Sequence, residues 1–123
     1  MYKLLVVDDE QLERQAIRHI VDRHCPDIAV VGEAGDGELA VEVAAREQPD
    51  IILMDIQMPV MSGLDAIKHI RTLLPETKII VLTANHSLSY AQDAASLGIA
   101  GYMLKPARPD RLVSSLYDIT RNN

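Results

Sequence analysis

The chain has 123 residues, of which 48% are hydrophobic and 24% charged. That is one domain's length, enough to bury a core of its own, and the composition excludes a disordered chain. A net charge of -6 without a Lys/Arg run excludes a polyanion-binding groove, and no apolar run is long enough to span a bilayer.

The first apolar run, "KLLVV" (3–7), is nearly continuous rather than alternating, which suits a strand covered on both faces. It ends in Asp8-Asp9-Glu10, after which Leu12, Ala16, Ile17, Ile20 and Val21 recur at helical spacing. "IAVVGEA" (28–34) predicts the second strand; Leu39, Ala40, Val43 and Ala44 predict a helix closed by Pro49. "IILM" (51–54) is the third strand and runs into Asp55, with a third helix on Leu64, Ile67, Ile70 and Leu74 closed by Pro75. "KIIVLT" (78–83) ends in Thr83-Ala84, and Tyr90, Ala91, Ala94 and Ala95 mark a fourth helix that "SLG" (96–98) terminates with a glycine. "AGYML" (100–104) leads to Lys105-Pro106; Pro109-Asp110 then opens a last helix striped by Leu112, Leu116 and Ile119. Alternation of this kind predicts an α/β, doubly wound parallel sheet with right-handed crossovers and helices on both faces. Residues 1–123 read as one domain without repeat or linker, and the last helix leaves no residues for an output domain.

In an open parallel sheet, ligands bind beyond the carboxyl ends of the strands, where the strand order reverses. Those ends carry Asp8, Asp9 and Glu10, then Asp55, then Thr83, then Lys105. Taken one at a time, the plainer readings are favoured: Asp9 as a helix cap, Asp55 as the start of a turn, Thr83 as the end of a strand and Lys105 as a loop residue. Together they bring a carboxylate cluster to one edge, and such a cluster repels itself unless a hard cation neutralises it. Oxygen ligands beside open positions suit Mg2+. A carboxylate beside that cation is a serviceable nucleophile toward phosphorus, with Lys105 a point charge for one phosphoryl oxygen and the Thr83 hydroxyl a donor to another.

The segments "VVDDE", "ILMDIQMPVMSG", "VLTA" and "GYMLKPARPDRL" together resemble the response-regulator receiver domain of bacterial two-component signalling, over essentially the whole chain. The resemblance implies a flavodoxin-like sheet of order 2-1-3-4-5. It implies that Asp55 is the phosphoacceptor for a sensor histidine kinase. Asp9, Asp55 and the Gln57 carbonyl would ligate Mg2+, with Asp8 acting through a metal-bound water. Lys105 would pair with the phosphoryl group across a cis peptide to Pro106. Thr83 and Tyr102 would form the switch pair, and Ala84 would leave room for the phosphoryl group. Gln57 and Asn85 would tune hydrolysis, while His86 is read as a loop residue. The fourth helix, fifth strand and fifth helix would form the readout surface and a homodimer face, with Arg108, Asp110 and Arg111 supplying ion pairs. "KPARPDRL" and "YAQDAASLG" are similar to receivers fused to AraC-type DNA-binding domains, so DNA would be contacted only through an output domain outside this chain, with no membrane partner.

Two readings compete with this. A haloacid-dehalogenase-type phosphatase would want a second aspartate at the position of Gln57 and a cap domain; a phosphorylation-independent interaction module would not need the full acidic set. The glycines of "GEAGDGELA" follow the second strand in the reverse order of a dinucleotide fingerprint and read as a turn into a helix. Cys25, without a Cys/His partner at metal-ligand spacing or a partner for a disulfide, is expected to be a small packing residue. With no signal-peptide pattern, the cytoplasm is the expected compartment.

Overall fold

The computed structural model describes residues 1–58, 60–84 and 87–121. Strand and helix alternate throughout: β1 (Tyr2–Val7), α1 (Gln11–His24), β2 (Ile28–Ala34), α2 (Gly37–Glu47), β3 (Ile51–Met54), α3 (Gly63–Leu73), β4 (Lys78–Thr83), α4 (Leu88–Ser96), β5 (Gly101–Leu104) and α5 (Pro109–Arg121). The five strands form one parallel sheet in the order β2-β1-β3-β4-β5. The expected doubly wound fold is therefore the one observed, and every element lies where the hydrophobic spacing places it.

Period-two alternation divides the strands between two cores. Leu5, Val7, Ile52, Met54, Ile79 and Val81 face the side covered by α2, α3 and Ala94 of α4. Their neighbours Leu4, Val6, Ile51, Leu53, Ile80 and Leu82 face α1 and α5. Both faces being covered explains why the runs lack polar alternation. Cys25 is buried in the second core, as its lack of partners suggests, and burial pushes its thiol pKa up.

The helix ends use local chemistry. Asp36 caps α2 by accepting from the Leu39 N–H at 2.8 Å, and Ser62 caps α3 by accepting from the Asp65 N–H at 3.3 Å. Gly98 takes a positive φ of 73° after α4, the conformation that a C-terminal glycine permits without strain. No helix among the described residues is long and apolar enough to cross a membrane.

Candidate functional site

The chain leaves β1 to build β2 on one side and returns to build β3 on the other, so the order reverses between β1 and β3. Val7 and Met54 are register partners across that junction. Asp8 and Asp55 each follow by one residue, and the ladder carries on through them: the Asp55 N–H donates to the Val7 carbonyl and the Asp8 N–H to the Ala34 carbonyl, both at 3.0 Å. Paired strands lie about 4.8 Å apart, so consecutive ladder positions make these carboxylates neighbours. Asp8 is 1% exposed and Asp55 5%, whereas Asp9 is exposed. One oxygen from each of Asp8, Asp9 and Asp55 lies within 4.8 Å of the others.

Lys105 reaches the same point from β5, two strands beyond β3, a span of about 10 Å that only a long side chain bridges. Its backbone N–H donates to the Thr83 carbonyl at 2.8 Å, which fixes where the stem starts. Its Nζ lies 2.5 Å from Asp8 Oδ2 and 3.2 Å from Asp55 Oδ2. The remaining oxygens are held by backbone donors: Asp55 Oδ1 accepts from the Gln57 N–H at 3.0 Å and Asp8 Oδ1 from the Glu10 N–H at 2.9 Å. The Lys105-Pro106 peptide is cis.

Burial raises the Asp55 pKa above the usual carboxylate range, more than the Gln57 N–H and Lys105 lower it. For Lys105, burial works against the charge, but hydrogen bonding and attraction to Asp8 and Asp55 outweigh it and raise the pKa. The ammonium is therefore charged at neutral pH and supplies one positive charge against three carboxylates. That excess of hard oxygen donors, two buried and one open to water, fits a divalent cation of the Mg2+ kind, which keeps several waters and takes few protein ligands.

The other expected residues take graded positions. Thr83 ends β4 fully buried, paired in register with Leu104. Tyr102 is half-buried on β5 opposite Val81, and burial raises its hydroxyl pKa. Gln57, Ala84 and Pro106 are exposed around the rim. Asp9, Gln57, Met58 and Tyr90 line one shallow surface hollow beside the cluster. Arg108 and Asp110 are exposed and pair with each other at 3.4 Å within the chain. Asn85 and His86 lie outside the described residues.

Three features went unnoticed in the sequence. A Cβ on Gly63 would lie 2.3 Å from the Asp55 carbonyl oxygen and 2.4 Å from Ile56 Cα, so the glycine of "MSG" lets the start of α3 rest on the Asp55 loop. Gly37 does likewise at the start of α2, where a Cβ would lie 2.3 Å from the Met61 carbonyl oxygen; the "GDG" glycine serves packing, and its loop is the turn into a helix expected of it. Arg14 and Glu33 form an ion pair next to Asp8, with Arg14 Nε 3.1 Å from Glu33 Oε1. An i, i+19 pairing carries no local spacing signal, so only the tertiary structure reveals it.

The response regulator receiver domain family matches residues 4–117 of this chain. The chemotaxis protein CheY of Thermotoga maritima is 36% identical over 119 residues, which cover 97% of this chain and 98% of that protein. The transcriptional regulatory protein YxjL of Bacillus subtilis is 38% identical over 114 residues, covering 93% of this chain and 52% of YxjL. This chain spans about half or less of the regulators YxjL and YesN of that organism, 52% and 32% respectively. The solved receiver domain of AraT, a response regulator from Geobacillus stearothermophilus, superposes with a TM-score of 0.87 at 38% identity, covering 98% of this chain and 96% of that one.

Proposed function

This chain belongs to the response-regulator receiver family, and we propose that within it Asp55 accepts a phosphoryl group from the phosphohistidine of a sensor histidine kinase. Receivers of this family are phosphorylation-activated signalling switches rather than turnover enzymes, and sensor histidine kinases are their partners. The observation that carries the assignment is the Asp8, Asp9, Asp55 and Lys105 constellation at the point where strand order reverses.

A carboxylate oxygen of Asp55 attacks phosphorus as the bond from phosphorus to the histidine nitrogen breaks; the bonding pair stays on that nitrogen, and with the ring's other nitrogen protonated the kinase keeps a neutral imidazole while an acyl phosphate forms here. Asp9 and Asp55, with the Gln57 carbonyl, would hold Mg2+, and Asp8 would act through water. When bound, that ion neutralises charge on the transferring group. The Gln57 N–H, 3.0 Å from Asp55 Oδ1, fixes the orientation of the carboxylate. Lys105, already 3.2 Å from Asp55 Oδ2, pairs with a phosphoryl oxygen, and the Thr83 hydroxyl donates to another. Ala84 leaves space for the group, Pro106 follows the lysine in its cis turn, and Tyr102 responds to the movement of Thr83.

Phosphorylation adds about two negative charges and three acceptor oxygens at one point, enough to bias a loop between packings a few kcal/mol apart. The readout surface is α4, β5 and α5, with homodimerisation there as its simplest consequence. A transcriptional output through a DNA-binding domain outside this chain, of the AraC type that "KPARPDRL" resembles, is supported in its general form by the transcriptional regulators among its relatives. A cytoplasmic location follows from the partners proposed.

Incubation with acetyl phosphate and Mg2+, read by intact-protein mass and Mg2+-dependent gel mobility, tests the assignment. Wild type should gain one phosphoryl group and Asp55→Asn none; an adduct that persists in Asp55→Asn would overturn it.

A further inference from the structure

Outside the acidic cluster, the densest ionic network among the described residues joins α1 to β2. Glu33 uses both carboxylate oxygens: Oε1 accepts from Arg14 Nε at 3.1 Å, and Oε2 accepts from Arg18 Nε at 3.0 Å and Nη2 at 2.8 Å. Arg14 then has Nη1 free to donate to the Asp8 carbonyl oxygen at 2.6 Å. We propose that Arg14, braced by Glu33, is a positioning residue for Asp9. It fixes the Asp8-Asp9 peptide and so keeps the Asp9 carboxylate within reach of Asp55 and a shared Mg2+. This rests on the reading of the acidic cluster given above and assigns residues that the phosphotransfer chemistry does not itself use.

The carbonyl that Arg14 holds belongs to the peptide unit leading into Asp9. The Asp8 carboxylate is secured from two directions, by the Glu10 N–H at 2.9 Å and by Lys105 Nζ at 2.5 Å. Asp9 is exposed, so the direction of its side chain is inherited from the backbone before it. A rotation of that peptide would swing Asp9 away from the 4.8 Å grouping while leaving Asp8 and Asp55 in place. Arg14 is well suited to prevent it. Its planar fork reaches two acceptors at once, its side chain is only 18% exposed, and Glu33 fixes its orientation from β2. The "GEAG" segment thus serves the acidic loop rather than a nucleotide.

The test is Mg2+ affinity, measured by titration calorimetry and by amide chemical shifts, at a temperature where circular dichroism shows every variant folded. Wild type is compared with Asp9→Asn, Arg14→Met, Arg14→Lys and Glu33→Gln. Residues that orient metal ligands typically contribute tenfold or more to affinity, so Arg14→Met should weaken Mg2+ binding about tenfold. Arg14→Lys should recover part of the loss, and Glu33→Gln should lose a few-fold. Loss of affinity in Asp9→Asn together with wild-type affinity in Arg14→Met would overturn this inference and leave the acidic site intact. Wild type that does not bind Mg2+, or Asp9→Asn that binds it unchanged, would overturn the reading of the site and this inference with it. If Arg14→Met does not fold, Glu33→Gln decides: affinity equal to wild type counts against the brace. A purely structural role for Arg14 would lower the unfolding temperature without changing Mg2+ affinity.

Discussion

Replacing Lys105 with methionine keeps the apolar stem and removes the charge that sits 2.5 Å from Asp8 and 3.2 Å from Asp55. Removing one partner of a buried ion pair costs about 3–5 kcal/mol because the other charge is left uncompensated. Two features pull the cost toward the lower end. The Lys105 side chain is 11% exposed, so water enters where it stood, and the Asp55 pKa is already raised by burial, so the site takes up a proton at little further cost. The expected loss in EDTA at pH 7 is about 3 kcal/mol, or roughly 10 °C in unfolding temperature for a domain of this size. Without the lysine, the folded-state Asp55 pKa rises further. A raised carboxylate pKa contributes stability below its unfolded value and loses it as pH rises, so the gap between variant and wild type should narrow as pH falls toward 5. A ligand at a hundred times its dissociation constant contributes about 2.7 kcal/mol, and Mg2+ should stabilise the variant at least as much as wild type. Urea unfolding with and without Mg2+ measures all of this. A loss under about 1 kcal/mol in EDTA, or a gap that widens on acidification, would refute the electrostatic account.

Three further outcomes follow from the geometry. Gly63→Ala pushes a methyl group into the Asp55 carbonyl and Ile56 Cα, and because the obstacles are backbone atoms it should cost about 2–3 kcal/mol and slow phosphorylation by acetyl phosphate. Arg71 donates to the carbonyls of Thr77 at 2.5 Å, Gly98 at 3.1 Å, and Leu97 and Pro75 at 3.4 Å; Arg71→Ala should cost about 2 kcal/mol and speed amide exchange in the turn between α4 and β5. Burial pushes the Glu33 carboxyl up, but Arg18 and Arg14 more than reverse it and leave it below the usual glutamate value. A lowered carboxylate pKa contributes stability above its unfolded value and loses it as pH falls, so Glu33→Gln should cost about 1 kcal/mol at pH 7 and progressively less as pH falls below the usual glutamate range in denaturant titrations.

The sheet was legible because both of its faces are buried, so strand and helix periods appear without interruption from Leu4 to Leu116. Asp8, Asp55, Thr83 and Lys105 were legible because each stands directly at or after a strand end, and the register partners Val7 and Met54 convert that sequence position into contact. Arg14, Glu33 and Arg71 were not. Arginine on a helix surface normally reads as solvated, and the carbonyls that Arg71 reaches extend to 27 positions away. The role of Gly63 was hidden for another reason: a glycine after Ser62 looks like turn chemistry, and only the 2.3 Å approach to Asp55 shows that the missing Cβ is what the site needs.

The same ladder that crowds the carboxylates also supplies a route out of the site. Lys105 is anchored by its N–H to the Thr83 carbonyl and stretched across two strand spacings to Asp55 and three to Asp8, so β5 leads into a side chain that the acidic cluster already holds and β4 ends in the carbonyl that anchors it. In the proposed reaction a phosphoryl group on Asp55 offers Lys105 a more highly charged partner than either carboxylate and draws on the Thr83 hydroxyl at the same time. Both pulls act on the last rung of the β4–β5 ladder, where Thr83 faces Leu104, and Tyr102 stands two residues earlier on the same edge strand. An edge strand is paired on one side only, and the turn that leads into it from α4 has its Leu97 and Gly98 carbonyls tied to α3 through Arg71. In that reading the α4, β5 and α5 surface, rather than the α1 side where Arg14 pairs with Glu33, is the proposed place for a change of packing to be read.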